Sequence, residues 1–352
     1  MTTLIVGQGI AGSILAIELL KAGIDVIVID DGHLQSASKV AAGLMDYVSG
    51  KRLTKSWNSD VLIPYAKQFY KQLEQELGTS FFFERPSLRY FSTKEQVDFY
   101  HKRLEDPKFE GSLTKRNPPH LYDAMLHNDF GACIVEGSSV LNTPSFLLAC
   151  KQFLEQNNSL ITEPFDFDSF ETLEKGIRYK DILAEKIIFC EGYNVCKNPY
   201  FKGLDFRLSK GDVLTLDIAD LPQEFILNKD KWLVPFNSMF RFGATYEWKT
   251  INCTADQQGQ DELVNDLKGW LKLNYQVVNH EAGVRTAAKD IRPVFGFHPD
   301  YDNIGIFNGF SSKGVMTVPY YAREFLKSLQ SSDNKLSSEI NCKRLFLNRI
   351  HH

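Results

Sequence analysis

The chain has 352 residues, of which 43% are hydrophobic and 24% charged, with a net charge of −4. That length exceeds what one hydrophobic core ordinarily supports, so two domains of soluble globular composition are expected. Lysine and arginine are interleaved with acids rather than clustered, which excludes the basic footprint of a protein whose primary role is nucleic-acid binding.

Residues 4–30, LIVGQGIAGSILAIELLKAGIDVIVID, read as a strand at 4–6, a glycine turn, an amphipathic helix at 11–22 stopped by Gly23, and a second apolar strand at 26–29. Gly7, Gly9 and Gly12 make G-x-G-x-x-G. The first permits a tight turn, the second lets backbone approach a pyrophosphate, and the third lets the helix sit close to the strand. The helix start at Ile10 and Ala11 turns unpaired N–H groups and the positive end of the dipole toward that phosphate. Asp30, followed by Asp31, closes the unit where a carboxylate accepts from ribose hydroxyls and repels a 2′-phosphate, so a dinucleotide other than NADP is expected. Because the first strand starts at Leu4, no charged leader with an apolar signal segment fits before it. No later apolar run approaches the roughly 20 residues of a membrane span, and a cytoplasmic protein is expected.

Residues 36–45, SASKVAAGLM, are small and suited to close packing against something flat. Residues 61–77 predict an amphipathic helix ending at Gly78, 87–91 a strand, and 94–104 a charged helix. After the loop through Pro118 and Pro119 come an apolar segment at 132–136 and a helix to about 156, with Thr143 as N-cap and Pro144 in the first helical position. Residues 183–192, LAEKIIFCEG, read as a buried strand ending in a glycine turn, and 211–218 as an alternating strand. Residues 232–248 predict a hairpin, and 261–274 an amphipathic helix capped by Asp261. The last block holds a strand at 304–307, a second glycine loop and a helix to 329, and the charged tail beyond Ser331 is expected to start loose. The six cysteines lack a C-x-x-C pair and read as reduced thiols. The eight histidines lack ligand spacing, His351 and His352 being adjacent, so no metal is expected.

Taken in order, GQGIAG with Asp30, SASKVAAG, IIFCEG, WLVP followed by FGATYEW, and GVRTAAKDIRPVFG followed by NGFSSKGV resemble the D-amino-acid oxidase and glycine oxidase superfamily of FAD-dependent oxidoreductases. The resemblance covers most of residues 1–330, whereas NAD dehydrogenases share only the first piece. It implies an α/β fold: a Rossmann-like FAD-binding domain, a parallel sheet with helices on both faces, plus an α+β substrate domain with a mostly antiparallel sheet. The FAD domain is then gathered from 1–60, 137–211 and 280–330, the substrate domain from 61–136 and 212–279, and 331–352 is a C-terminal tail. The first glycine loop would hold the pyrophosphate and Asp30 the adenosine ribose, with Val40, Ala41, Ala42 and Gly43 along the pyrophosphate and flavin edge and Phe165 and Gly192 also at the cofactor. Some relatives tether flavin to a cysteine just before the segment matching RTAAKD. Gly283 and Val284 stand there, implying non-covalent FAD.

Reduced flavin gathers negative charge at N1 and the C2 carbonyl, so N–H donors or a helix start should face that edge. In NGFSSKGV, Gly309 and Gly314 permit close approach, and Val315 and Met316 begin the helix. Lys313 has two readings, a charge turned inward or a solvated loop lysine. The resemblance further implies that Arg285, five residues before Asp290, clamps a substrate carboxylate with its planar fork; a domain-bridging salt link is the alternative. Thr286 replaces the family's proline and leaves that backbone less constrained. Arg292, beyond Asp290, is expected to pair locally or face water. Trp232 matches the position of an aromatic that closes the substrate pocket, and Tyr246 lies on the paired strand of the expected hairpin; either alternatively packs as core. Glu191, beside Cys190, is the odd residue, since a carboxylate near FAD needs a partner or a raised pKa.

The implied reaction is oxidation of an amino acid or related amine by hydride transfer from the α-carbon to flavin N5, with oxygen or another acceptor taking the electrons. A neutral amine expels hydride by its own lone pair, so positioning and desolvation suffice without a side-chain base. Oxidation of a 2-hydroxy acid would require a base such as histidine, and His298 is expected in an exposed turn. A flavoprotein without its own small-molecule oxidation is the third reading.

Overall fold

Strand Thr2–Val6 sits inside a six-stranded sheet, flanked in parallel by Asp25–Asp30 and Lys186–Phe189. Leu160–Thr162 extends the sheet on one side and Ile304–Asn308 on the other, both parallel, and Val294–Phe297 closes the far edge antiparallel. The computed structural model describes residues 2–32, 36–330 and 335–347. Leu4 and Ile5 point to opposite faces and both are fully buried, which explains why this strand is apolar throughout rather than alternating. On one face, helix Ile10–Lys21 packs with helices Ser59–Leu77, Thr143–Gln156 and Gly314–Gln330 around a shared core. The other face carries the antiparallel meander Phe170–Thr172, Ile177–Tyr179 and Ile182–Ala184, an aromatic cluster around Phe189, and the short helix Lys343–Leu347.

A second sheet has eight strands in the order Gln276–Ala288, Phe206–Asp217, Met239–Gly243, Lys231–Phe236, Ile226–Lys229, Ser87–Tyr90, Ala132–Val135 and Leu113–Thr114. It is antiparallel except where Ile226–Lys229 runs beside Ser87–Tyr90. Helix Gln257–Lys268 covers it through Leu263 and Leu267. The two longest strands, Phe206–Asp217 and Gln276–Ala288, run across the expected borders at 211 and 280. Helix Ser59–Leu77, expected in the substrate domain, instead buries Leu62, Ile63, Ala66 and Tyr70 in the core of the parallel sheet.

Three local expectations are corrected. The N-cap of Thr143–Gln156 is Asn142, whose side chain accepts from Ser145 N, and Thr143 is already helical. Helix Gln257–Lys268 starts earlier than expected, because Asp256 caps it through Gly259 N. The hairpin strand ends at Gly243, so Tyr246 lies beyond the ladder. In each case two residues with capping or strand chemistry stand close together, and tertiary contacts choose between them.

The described part of the tail, 335–347, is also more ordered than its charge suggests. Ile340 and Cys342 are buried, Asn341 bridges Phe295, and Arg344 pairs with Asp290 at 3.0 Å. His298 is buried too, against Phe201, Tyr301 and Phe346, because this returning segment covers the turn. All six cysteines are unpaired. No described helix is long and apolar enough to cross a membrane, and no cluster of three or more potential ligand side chains among the described residues is arranged for a metal; His351 and His352 lie outside those residues.

Gly12 shows how tightly helix and strand approach, since a Cβ there would stand 1.8 Å from the Gly7 carbonyl oxygen. Backbone opposes backbone, so nothing can rotate away. Gly12→Ala is expected to destabilise the protein by about 3 kcal/mol or more, read from urea unfolding. Wild-type stability in that variant would remove the close-packing account of the third glycine.

Candidate functional site

A cavity of about 910 Å³ runs between the two sheets, from the glycine turn to the long strands Phe206–Asp217 and Gln276–Ala288. At one end its wall is built by Gly7, Gly9, Ile10, Ala11, Asp30 and Asp31, with Phe165 and Gly192 nearby. Val40, Ala41, Ala42 and Gly43 form the middle, and Lys313, Gly314 and Val315 face them from the second glycine loop. Trp232, Tyr246 and Arg285 line the far end. Three expected residues stay out of the wall. Gly12 is packed under the turn, Gly309 adopts φ +76° against Val294, and Met316 is buried in the helical core.

The glycine turn is fixed by its own acid. Asp30 Oδ2 accepts from Gln8 N at 2.7 Å and Oδ1 from Gly32 N at 2.8 Å, so this carboxylate anchors both the turn and the end of its own strand. Ser38 Oγ accepts from Ile10 N at 3.1 Å and would lie 3.0 Å from a Cβ at Gly9. The segment 39–41 is held by Arg241, whose Nη1 donates to the Lys39 and Ala41 carbonyls at 3.0 and 2.8 Å. Gly43, at φ +70°, lies so near Leu141 that a Cβ would stand 1.8 Å from its carbonyl oxygen.

At the far end, Arg285 extends over Gly211 on the neighbouring strand, where a Cβ would lie 2.3 Å from Nη2 and 2.6 Å from Cζ. Its Nη1 donates weakly to the Thr245 carbonyl at 3.4 Å, and its Cζ lies 4.5 Å from the centre of the Tyr246 ring. Among the described residues no carboxylate forms an ion pair with it, so a domain-bridging salt link is not what Arg285 makes. Burial lowers its pKa. Thr286, beside it in the wall, is 5% exposed and its hydroxyl has no partner among the described residues. Tyr246 is 55% exposed and stacks loosely with Trp248, so it is a cavity-mouth residue and not core. Trp232 does both jobs, lining the cavity and packing on Val40, Val213 and Ala244. Arg292 points away, paired with Glu339 at 2.8 Å and lying over Trp57.

Lys313 is turned inward. Its Nζ donates to Ser56 Oγ at 3.3 Å, and burial lowers its pKa against the pull of Asp46. Asp46, 5% exposed on the wall, takes Val48 N and Ser138 Oγ on Oδ1 at 3.2 and 3.4 Å. Burial pushes its carboxyl up, while Arg89 and Lys313 pull it down. Asp46, Arg89, Asn228 and Asp230 all line the cavity and were not singled out by the sequence reading. They carry no motif and lie on segments far apart in the chain. Gly211 had one readable signal, a glycine inside an alternating strand, which marks close approach of something else.

Glu191 also lines the wall, and its side-chain partner among the described residues is Asn198, whose Nδ2 donates to Oε2 at 2.8 Å. Burial raises its pKa from 4.5 to about 7. A carboxyl raised on folding contributes stability below pH 4.5 that is lost as pH rises through 7. In FAD-free protein, Glu191→Gln is therefore expected to match the wild type near pH 4.5 and to exceed its stability at pH 8 by up to about 3 kcal/mol. Urea unfolding of both proteins across that range tests this; a pH-independent difference would contradict it.

The sequence profile of a family described as FAD dependent oxidoreductase matches residues 2–327. A bifunctional protein of tRNA 5-methylaminomethyl-2-thiouridine biosynthesis from Legionella pneumophila is 23% identical over 93% of the chain and 54% of its own length. The chain thus spans little more than half of the curated relatives of this kind that it matches. Among solved structures, glycine oxidase from Geobacillus kaustophilus superposes with a TM-score of 0.79 at 17% identity, covering 96% of this chain and 95% of that one. Iminodiacetate oxidase from Chelativorans sp. BNC1 superposes with a TM-score of 0.77 at 18% identity, covering 96% and 99%. At these identities the superpositions report a shared fold.

Proposed function

The chain belongs to the FAD-dependent oxidoreductase family, with FAD as its cofactor, and from that premise we propose that it oxidises an amino acid or related amine whose carboxylate is bound by Arg285. The observation that carries this reading is a buried guanidinium on the cavity wall with no ion pair among the described residues. A buried charge is costly unless a partner completes it, and a planar fork selects a carboxylate.

The residues present fit FAD. Gly7, Gly9 and Gly43 leave backbone bare along the wall, Asp30 stands at the end of the second strand, and the inward Lys313 offers a cation. The Thr286 hydroxyl, without a partner among the described residues, is a further donor and acceptor inside the same cavity. We assign the pyrophosphate to the helix start at Ile10 and Ala11, and the flavin to the stretch between Gly43, Lys313 and Arg285. FAD held non-covalently accords with Cys190, the one cysteine on the wall, whose thiol is pushed well up by burial and so stays a poor nucleophile. We keep the division into a cofactor half and a substrate half, with helix Ser59–Leu77 moved to the cofactor half on its packing.

When bound between Gly43, Lys313 and Arg285, FAD would supply the two-electron acceptor for hydride leaving the substrate α-carbon, with oxygen or another acceptor as the next oxidant. The chain's own residues bind and orient. Arg285 fixes the carboxylate, Trp232 and Tyr246 narrow the approach, and the apolar wall around Val40 and Val213 excludes water. No described histidine lines the cavity, which favours an amine, needing no base, over a hydroxy acid. Glycine and iminodiacetate, the compounds in the names of two structural relatives, are both amines with carboxylates. A net charge of −4 supports a small-molecule substrate over an RNA. Anaerobic bleaching of flavin absorbance is expected with members of an amino-acid panel and not with 2-hydroxy acids. Bleaching by hydroxy acids alone, or by nothing, would overturn the proposal.

A further inference from the structure

Behind the Arg285 guanidinium, off the cavity wall, lies a buried polar cluster that the carboxylate reading does not use. Strand Met239–Gly243 ends before Thr245 and the backbone pairs again only at Lys210 and Glu247, so Thr245, whose carbonyl meets Arg285 Nη1, sits in an irregular gap between the two pairings. Asp212 holds that gap. Its N–H donates to Thr245 Oγ1 at 2.8 Å, the same hydroxyl donates back to Asp212 Oδ2 at 3.1 Å, and Thr245 N donates to the Asp212 carbonyl at 3.3 Å. One hydroxyl thus accepts and donates to the same residue, which fixes its rotor and the peptide carrying it.

Asp212 is itself held from the other sides. It is 2% exposed, with His280 Nε2 at 3.0 Å from Oδ1 and Lys210 Nζ at 3.8 Å from Oδ2. Lys210 also binds Asp256, the cap of helix Gln257–Lys268, and that helix comes so near that a Cβ at Gly259 would lie 2.5 Å from Asp212 Cγ. Buried charges are weak contributors to stability but strong fixers of geometry. The preceding residue, Gly211, supplies the space that the guanidinium fills, so adjacent residues give Arg285 its room and its aim.

We propose that Asp212 and Thr245 are positioning residues, which hold the Arg285 fork at the angle that receives a carboxylate. This rests on the reading of Arg285 given above. The charge of Asp212 acts on Arg285 without touching the cavity.

The test is calorimetric titration of the FAD-loaded protein with acetate, alongside thermal unfolding. Thr245→Val keeps the shape and removes the hydroxyl, and is expected to weaken acetate binding roughly tenfold, about the worth of one hydrogen bond held on a charged group. Thr245→Ser restores the hydroxyl and is expected to bind within about twofold of wild type. If the valine variant does not fold, Thr245→Ala asks the same question. A lowered Tm with unchanged acetate affinity in the variant lacking the hydroxyl would reduce the cluster to a structural role and overturn the inference alone. A wild type that binds no acetate would overturn both this inference and the carboxylate reading.

Discussion

Arg285→Met is expected to lower kcat/KM for the best amine substrate by roughly 100- to 1,000-fold, within the range of about 2–5 kcal/mol for truncating one partner of a buried charge pair. Stability should not follow activity. The guanidinium is buried without an ion pair among the described residues, so an apolar side chain of similar length leaves no stranded charge and Tm should hold or rise. A salt link between domains would give the reverse, a clear loss of Tm. Arg285→Lys separates charge from shape: a compact ammonium cannot form the two parallel bonds of the fork and should recover only part of the loss. Steady-state kinetics with differential scanning fluorimetry on the three proteins decides the matter. Wild-type kcat/KM in the methionine variant would remove Arg285 from the site.

Gly211→Ala should reproduce most of that kinetic loss without touching the arginine. The added methyl would lie 2.3 Å from Nη2 and 2.5 Å from Nη1, so the guanidinium must leave. It can, because it is the free end of a flexible chain, whereas at Gly12 the opposing atom is backbone. Gly211 shows no positive φ, so alanine is also favoured by about 0.4–1 kcal/mol through the unfolded chain. The expected result is a protein of near-native Tm whose KM rises at least tenfold. Normal kinetics would show that the guanidinium works from a different position.

The glycine turn and its acid were legible because every rule that specifies them is local: two apolar strands, a helix and three glycines within thirty residues. That the second glycine loop and Arg285 line one cavity was legible only through resemblance, since it depends on strands far apart in the chain. What stayed hidden depends on distance in the chain. Gly211 faces Arg285, and Asp46 faces Lys313, across separations that no periodicity reports. Lys313 itself was undecided until Ser56 and Asp46 gave its ammonium an inward environment. The cap at Asn142 instead of Thr143, and at Asp256 instead of Asp261, shows where local chemistry offers neighbouring solutions and packing selects one. His298 was misjudged as exposed because its cover, Phe346, comes from a tail whose charge masks a few anchoring apolar residues.

The strand order of the parallel sheet has a consequence during synthesis. Thr2–Val6 leaves the ribosome well before its partner, so one of its edges waits for Lys186–Phe189, and that strand waits for Ile304–Asn308. At about 5–20 residues per second the sheet closes on the order of 15–60 s after its first strand emerges. Until then an apolar strand with an open edge is offered to other unfinished chains or to a holding chaperone. Nascent chains stopped before residue 304 should therefore associate with one another, while the finished chain, whose contacts are far apart in sequence, folds slowly but once.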